Sequence, residues 1–159
     1  MKYLKISLGI FAALAASRFF PHPPNFTSLI ALGFYIPAIF GRKFIPVIIL
    51  SFLVTDIYLG FHDTVFFTWG TIILIGLFAK IFANTFLVRI IGALISSCLF
   101  FIITNFGVWT LGSYGLTFNG LITCYIMAIP FFAYNLISTL FFSVIIESLL
   151  KLNLAKVVN

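Results

Sequence analysis

The chain has 159 residues, of which 63% are hydrophobic and only 8% are charged, and its mean hydropathy is +1.26. A soluble domain carries about 25% charged residues, so this composition excludes a water-soluble globule. The formal net charge of +6 does not indicate nucleic-acid binding, because the basic residues lie at the ends of apolar runs and do not cluster on one polar face.

The apolar runs are continuous along the chain. A transmembrane barrel would instead show alternating segments of about ten residues. A helical span needs about 20 residues, so the chain has room for five or six. The fold class predicted from the sequence is therefore an all-α membrane protein, a single integral membrane domain over residues 1–159.

The first span is predicted at about residues 4–19, after two lysines. This start is also similar to a signal peptide, because small residues follow an apolar stretch. Arg18 directly after those small residues would be an awkward start for a mature chain, so we expect the span to be retained. Small residues at helical spacing let helices approach closely in lipid. In the first span these small residues form a ridge of Gly9, Ala12, Ala13 and Ala16. Packing inside this protein and docking to a separate subunit explain the ridge equally well.

The segment 17–26 interrupts the apolar pattern with an arginine, a histidine, an asparagine and three prolines. Proline fixes its own backbone and removes an amide donor, and it moves the preceding residue out of the helical region. The segment is therefore predicted to be a stiff, extended loop, and its polar side chains favour a binding role.

The later spans are predicted at about residues 26–40, 44–60, 64–82, 86–105 and 120–150, with a break near Pro130 in the last one. Residues 106–119 are rich in glycine and aromatic residues. Since Trp and Tyr favour the membrane interface, this segment is predicted to be a loop that caps the bundle.

The basic residues predict the orientation of the six spans. Cytoplasmic ends collect Lys and Arg. If both termini are cytoplasmic, eight of the nine basic residues fall on that side and only Arg18 falls on the other. The sequence therefore predicts a multi-pass membrane protein with both ends on the cytoplasmic side.

Most of the chain's polar side chains that could contact a ligand then fall at the outer end. The candidate substrate-binding residues are Arg18, His22, Asn25, Asp56, His62, Trp109, Tyr114 and Asn135. Charged groups near hydrocarbon usually form pairs or serve function. Arg18 is therefore expected to pair with Asp56 or Asp63, to bind an anionic or carbonyl group of a ligand, or both.

The other candidates each have a structural alternative. The histidines are explained equally well as hydrogen-bonded loop residues, and their spacing predicts no metal site. Asn25 is suited to capping the second span. The aromatic residues could belong to the interfacial belt, and Asn135 could hold helices together. Glu147, near the inner end of the last span, is expected to lie close to Lys151 at i+4.

The sequence contains no catalytic signature: it has no phosphate-binding glycine loop, no metalloprotease helix and no nucleophile elbow. No enzyme activity and no cofactor held in the chain are therefore predicted.

Three features together resemble the substrate-binding S component of energy-coupling-factor vitamin transporters, and most closely a branch of small bacterial transport proteins related to them. These features are the six short spans with both ends inside, the ridge that contains Ala12 and Ala16, and the polar motifs of residues 18–26 and 56–62.

The resemblance implies an S-component-like bundle that holds a vitamin or similar small nutrient in its outer half, under the 17–26 and 106–119 loops. It also implies docking through the span-one ridge to a transmembrane coupling subunit, whose ATPases hydrolyse ATP. The alternative is a membrane scaffold that binds another protein through span one and binds no solute.

Overall fold

The computed structural model describes the backbone of residues 2–158 and the side chains of residues 3–152. The side chains of Lys2 and Lys156, which support the predicted orientation, lie outside the described residues. Within this part the fold is all-helical, with 3₁₀ turns at 42–44 and 79–82 and six α-helices: α1 Lys2–Phe19, α2 Leu29–Phe40, α3 Ile45–Leu59, α4 Val65–Phe78, α5 Phe86–Thr110 and α6 Phe118–Val158.

The short helix α2 lies at the centre of the bundle. Ten of its 12 residues are buried. A helix that is apolar on every side must be surrounded by other helices, and α2 packs against α4, α5 and α6. The largest buried side chains of the core include Phe34 and Tyr35 of α2 and Leu14 of α1.

The six helices fall into two packing groups. The first consists of α1 and α3, which pack extensively on each other. The second consists of α2, α4, α5 and α6, and its most extensive interface joins α5 and α6. The contacts of α3 with α2 and α4 are less extensive than those within each group.

Short connections make the helices alternate in direction, so the bundle has two ends. We call one the Arg18 end; it carries the loops 20–28, 60–64 and 111–117. The opposite end, which we call the Arg89 end, carries the turns at 41–44 and 79–85.

Three stretches are long and apolar enough to cross a membrane: Val65–Phe82, Phe86–Thr110 and Phe118–Leu152. Leu29–Phe40 is a shorter apolar helix. Large apolar side chains are exposed on the outside of the bundle, for example Phe66 (82% exposed) and Tyr58 (79%). An apolar surface of this extent is typical of a membrane protein.

The predicted break near Pro130 is wrong, because α6 continues through this residue. A proline removes one backbone hydrogen bond, and packing by neighbouring helices can offset that loss. Side-chain contacts to α5 hold α6 on both sides of Pro130: the Tyr125 hydroxyl donates to the Ile102 carbonyl (2.6 Å), and the hydroxyls of Ser97 and Thr139 lie 2.8 Å apart.

The loop predicted over residues 106–119 is also shorter than expected, since α5 extends to Thr110 and α6 begins at Phe118. Gly107 serves helix packing and not a turn. A Cβ atom at this position would lie only 2.5 Å from the ring of Phe67, so the absence of a side chain lets α4 approach α5.

The second helix begins three residues later than the predicted span. Ser28 precedes the first turn of α2, and its side chain makes no capping hydrogen bond there. Asn25, which could have capped this helix, lies instead in the preceding turn with a left-handed φ of 62°. Asparagine tolerates this backbone conformation better than most residues do.

Candidate functional site

A cavity of about 620 Å³ opens at the Arg18 end of the bundle. All six helices or their loops contribute to its wall. Its apolar surface comes from side chains such as Phe52, Phe100 and Phe131. The volume lies within the range of small-molecule sites, about 300–1,000 Å³, which are similarly apolar with a few polar groups.

Arg18 is held in the wall of this cavity by a buried carboxylate. Its Nη1 atom lies 2.7 Å from Oδ1 of Asp56, which is completely buried. The same nitrogen donates to the Thr55 hydroxyl, and the guanidinium carbon lies 4.4 Å from the centre of the Phe52 ring. The other carboxylate oxygen accepts a hydrogen bond from Nε1 of Trp69 at 2.9 Å. The pair therefore fixes the end of α1 against α3 and α4.

These contacts use only one side of the Arg18 guanidinium group. All its hydrogen bonds and its ion pair in the described part of the chain involve Nη1. Nε and Nη2 form the other edge of the group. Arg18 lines the cavity with 14% of its side chain exposed, so this edge is available to a ligand.

Asn135 lines the same cavity from α6 and is only 5% exposed. Its backbone carbonyl accepts from the hydroxyls of Ser97 and Ser138. Its carboxamide makes no hydrogen bond within the described residues. Buried polar side chains nearly always have a partner, so this carboxamide is expected to bind a solute or water in the cavity.

The two histidines lie at the mouth of the cavity. Nδ1 of His22 lies 2.7 Å from the carbonyl of Pro23. Because a carbonyl only accepts hydrogen bonds, Nδ1 carries the proton, and Nε2 of the neutral ring is an acceptor. His62 contacts the Thr64 hydroxyl at 3.0 Å. Both rings are exposed, and the described residues contain no group of three metal-binding side chains.

The structure brings six of the eight predicted substrate-binding residues to this cavity: Arg18, His22, Asn25, His62, Tyr114 and Asn135. It places the other two elsewhere. Asp56 lies behind Arg18 and does not line the cavity. Trp109 lies in the last turn of α5 and donates to the carbonyl of Gly115 in the 111–117 loop.

Sequence reasoning missed part of the wall. Thr68, Val108 and Met127 line the cavity from within α4, α5 and α6. They are ordinary residues of an apolar span, and one sequence gives no signal that separates a cavity-lining residue from one that faces a neighbouring helix.

A second depression, an apolar groove of about 690 Å³, runs between α1 and α6 over α2. Three of the predicted docking residues line it, namely Gly9, Ala13 and Ala16. Ala12 is exposed but does not line the groove. His22 borders both the groove and the cavity, so the 20–28 loop separates the two.

An ion pair at the Arg89 end corrects the expected position of Glu147. Its carboxylate binds Arg89 of α5 bidentately, with distances of 2.6 Å to Nε and 2.7 Å to Nη2. No ion pair with Lys151 is found among the described side chains. The two side chains point in different directions: Glu147 is only 8% exposed and faces the bundle, whereas Lys151 is exposed.

Four of the buried polar side chains of α6 follow a regular spacing of four residues: Asn135, Thr139, Ser143 and Glu147. Residues at this spacing lie on one face of a helix. The resulting polar stripe faces α5 and α2 and runs from the cavity to the Arg89–Glu147 pair. The hydroxyls of Ser143 and Tyr35 on this path make no hydrogen bond in the described part of the chain.

A family model described as "Family of unknown function (DUF6580)" matches residues 2–158. The chain belongs to this family. No curated protein and no solved structure matches it in the other two comparisons. The matched range of residues includes all six helices and every residue of the candidate site.

In this family member the 111–117 loop is fitted closely to the start of α6. Gly120 is buried, and a methyl group at this position would overlap the backbone carbonyls of Tyr114 and Gly115. We expect Gly120→Ala to displace the loop and to lower the free energy of unfolding by about 1–3 kcal/mol. The thermal unfolding midpoint of the purified protein measures this change.

Gly70→Ala on α4 is the matched control, because a Cβ atom there meets no other group within 4 Å. It is expected to leave the midpoint unchanged or to raise it slightly, since alanine favours a helix over glycine. Equal midpoints for the two variants would contradict the close fit of the loop.

Proposed function

We propose that this protein binds a small nutrient in a bacterial cytoplasmic membrane and is a subunit of an uptake transporter, similar to the S component of an energy-coupling-factor transporter. The observation that carries the proposal is the cavity at the Arg18 end. It combines a guanidinium edge and a buried carboxamide, neither of which has a hydrogen-bond partner among the described residues, with an apolar wall of ligand size.

The proposed orientation places the Arg18 end outside and both termini inside. The exposed basic residues Arg42, Lys43 and Lys80 lie at the Arg89 end. Cytoplasmic ends of membrane proteins are enriched in such residues. In this orientation the cavity opens toward the side from which a nutrient arrives, and six helices cross the bilayer.

The apolar groove between α1 and α6 supports a second proposed role, the docking of another membrane protein. Small residues at Gly9, Ala13 and Ala16 let another helix approach closely. In a transporter this partner would be the coupling subunit that works with ATPases. If the cavity binds no solute, the same surface favours a membrane scaffold.

Replacement of Asn135 by alanine tests the solute-binding role. Because its carboxamide makes no hydrogen bond to the part of the chain that the structure describes, the variant should fold as stably as the native protein. If the variant loses hydrogen bonds to the ligand that contribute about 1.4 kcal/mol, its affinity for the ligand falls about tenfold. Native mass spectrometry of the purified protein measures the fraction that retains a co-purified small molecule, and titration with the released molecule measures its affinity.

Asn119→Ala is the control, since this exposed residue begins the same helix and does not line the cavity. We expect it to retain the solute fully. Native protein that carries no small molecule, and that binds none from a nutrient extract, would favour the scaffold over the transporter subunit.

A further inference from the structure

The charges around the cavity are unequal. Arg18 is the one lysine or arginine among its described lining residues, and no aspartate or glutamate lines it. Asp56 lies behind Arg18, so the positive pole of this ion pair is the one nearer to the cavity. Asp56 offsets part of this charge but lies on the far side of Arg18, so an anionic group in the cavity would meet the positive pole first and a cationic group would be disfavoured.

The structure also contains an example of how the free edge of Arg18 can bind. Arg89 uses its Nε and Nη2 atoms to hold both carboxylate oxygens of Glu147. In Arg18 the same two atoms have no partner among the described residues, because Asp56 and Thr55 occupy Nη1. Two parallel donors on one planar edge match the spacing of a carboxylate.

The wall on the other side of the cavity is suited to an uncharged group. Asn135 offers both a donor and an acceptor. Phe131, Ala128 and Met127 line the same face of α6 between Asn135 and the loop end. Those side chains favour an apolar segment between the two polar ends of a ligand.

We propose that the cavity takes a small organic monocarboxylate, with its carboxylate on Nε and Nη2 of Arg18 and an uncharged hydrogen-bonding group on Asn135. This inference rests on the proposed solute-binding function and deepens it, since it excludes cationic solutes. The anionic group could belong to a free solute or to a lipid headgroup, and the test below separates these sources.

The test measures the rate at which charged thiol reagents enter the cavity. Cys98 and Cys124 are replaced by alanine. Thr104→Cys then introduces a single cysteine into the cavity wall. In vesicles of phosphatidylcholine, a sulfonate-bearing methanethiosulfonate should label this cysteine about tenfold faster than a trimethylammonium-bearing one. Rates are normalised to those of Ser113→Cys in the same background, because Ser113 is exposed in the 111–117 loop and does not line the cavity.

Two further variants locate the source of the preference. Arg18→Gln combined with Asp56→Asn removes both charges and avoids a buried unpaired carboxylate, and it should abolish the preference for the anion. Arg18→Lys keeps the charge and should retain the preference. A preference that persists in the doubly neutral variant would overturn the assignment to Arg18.

The remaining outcomes separate the ligand class from the function. Equal rates for the two reagents, or faster labelling by the cation, would overturn the carboxylate proposal and leave solute binding intact. Labelling at Ser113→Cys without any labelling at Thr104→Cys would overturn both, because solutes would then have no access to the cavity. If phosphatidylglycerol in the vesicles slows labelling only at Thr104→Cys, the occupant is a lipid headgroup and the free solute is excluded.

Discussion

Replacement of Arg18 by alanine is expected to lower the free energy of unfolding by about 3–5 kcal/mol, because removal of one partner leaves a buried charge without compensation. Asp56 is completely buried, and Arg18 is its ion-pair partner in the structure. The change is measured as a lower thermal unfolding midpoint of the purified protein. The same variant should also lose the bound solute, since it removes the free guanidinium edge.

A double variant separates the lost charge pair from the lost packing. In Arg18→Met with Asp56→Asn, the methionine keeps much of the apolar contact with Phe52, and the asparagine can still accept the hydrogen bond from Trp69. Replacement of both charges should therefore recover most of the stability but not the solute. Lys5→Ala on the same helix is the control, because Lys5 is exposed and forms no ion pair with a described side chain. A double variant no more stable than Arg18→Ala would contradict this account.

The second large effect is expected at the opposite end of the bundle. Glu147→Ala should lower the free energy of unfolding by about 3–5 kcal/mol. The charge of Arg89, which is mostly shielded from solvent, then has no carboxylate partner. The side chain of Arg89 is 18% exposed, and that of Glu147 is 7% exposed. Arg89 also donates to the carbonyl of Ala83, so the turn between α4 and α5 should loosen as well.

Exchange of the two residues, Arg89→Glu with Glu147→Arg, keeps both charges between the same helices and should restore part of the loss. Lys80→Ala is the matched control at the same end, since Lys80 is exposed and no ion pair of Lys80 is found among residues 3–152. The thermal unfolding midpoints of the purified proteins give the stabilities of all three variants. Solute binding should survive Glu147→Ala at temperatures below its midpoint, because this pair lies far from the cavity along α6.

Much of the fold follows from the sequence because apolar runs separated by short polar segments leave few alternatives to a helical bundle. Six residues of the cavity wall were also recognisable, since each stands out as polar or aromatic in an otherwise apolar chain. What the sequence did not reveal is the role of each residue. For Asp56 the sequence predicted a pair with Arg18, a contact with the ligand, or both; the structure has the pair and places Asp56 behind Arg18, outside the cavity wall.

The errors in the helix limits have a common physical reason. Pro130 and Gly107 were interpreted by their local preferences, which favour a break or a turn. In the structure, tertiary contacts of α6 with α5 and of Phe67 with Gly107 override those preferences. The partner of Glu147 was missed similarly, because a contact between residues 58 positions apart leaves no mark on local spacing.

The division of the helices into two packing groups has a mechanical consequence. Arg18 belongs to the pair α1 and α3, whereas Asn135 belongs to the four-helix group. Four side-chain contacts join α5 to α6 along their length, so these helices should move as one rigid body: Arg89–Glu147, Ser97–Thr139, Ile102–Tyr125 and Asn105–Cys124. A solute held by both Arg18 and Asn135 would therefore join the two groups, in addition to the hydrogen bond between Trp69 and Asp56 and to their common apolar core.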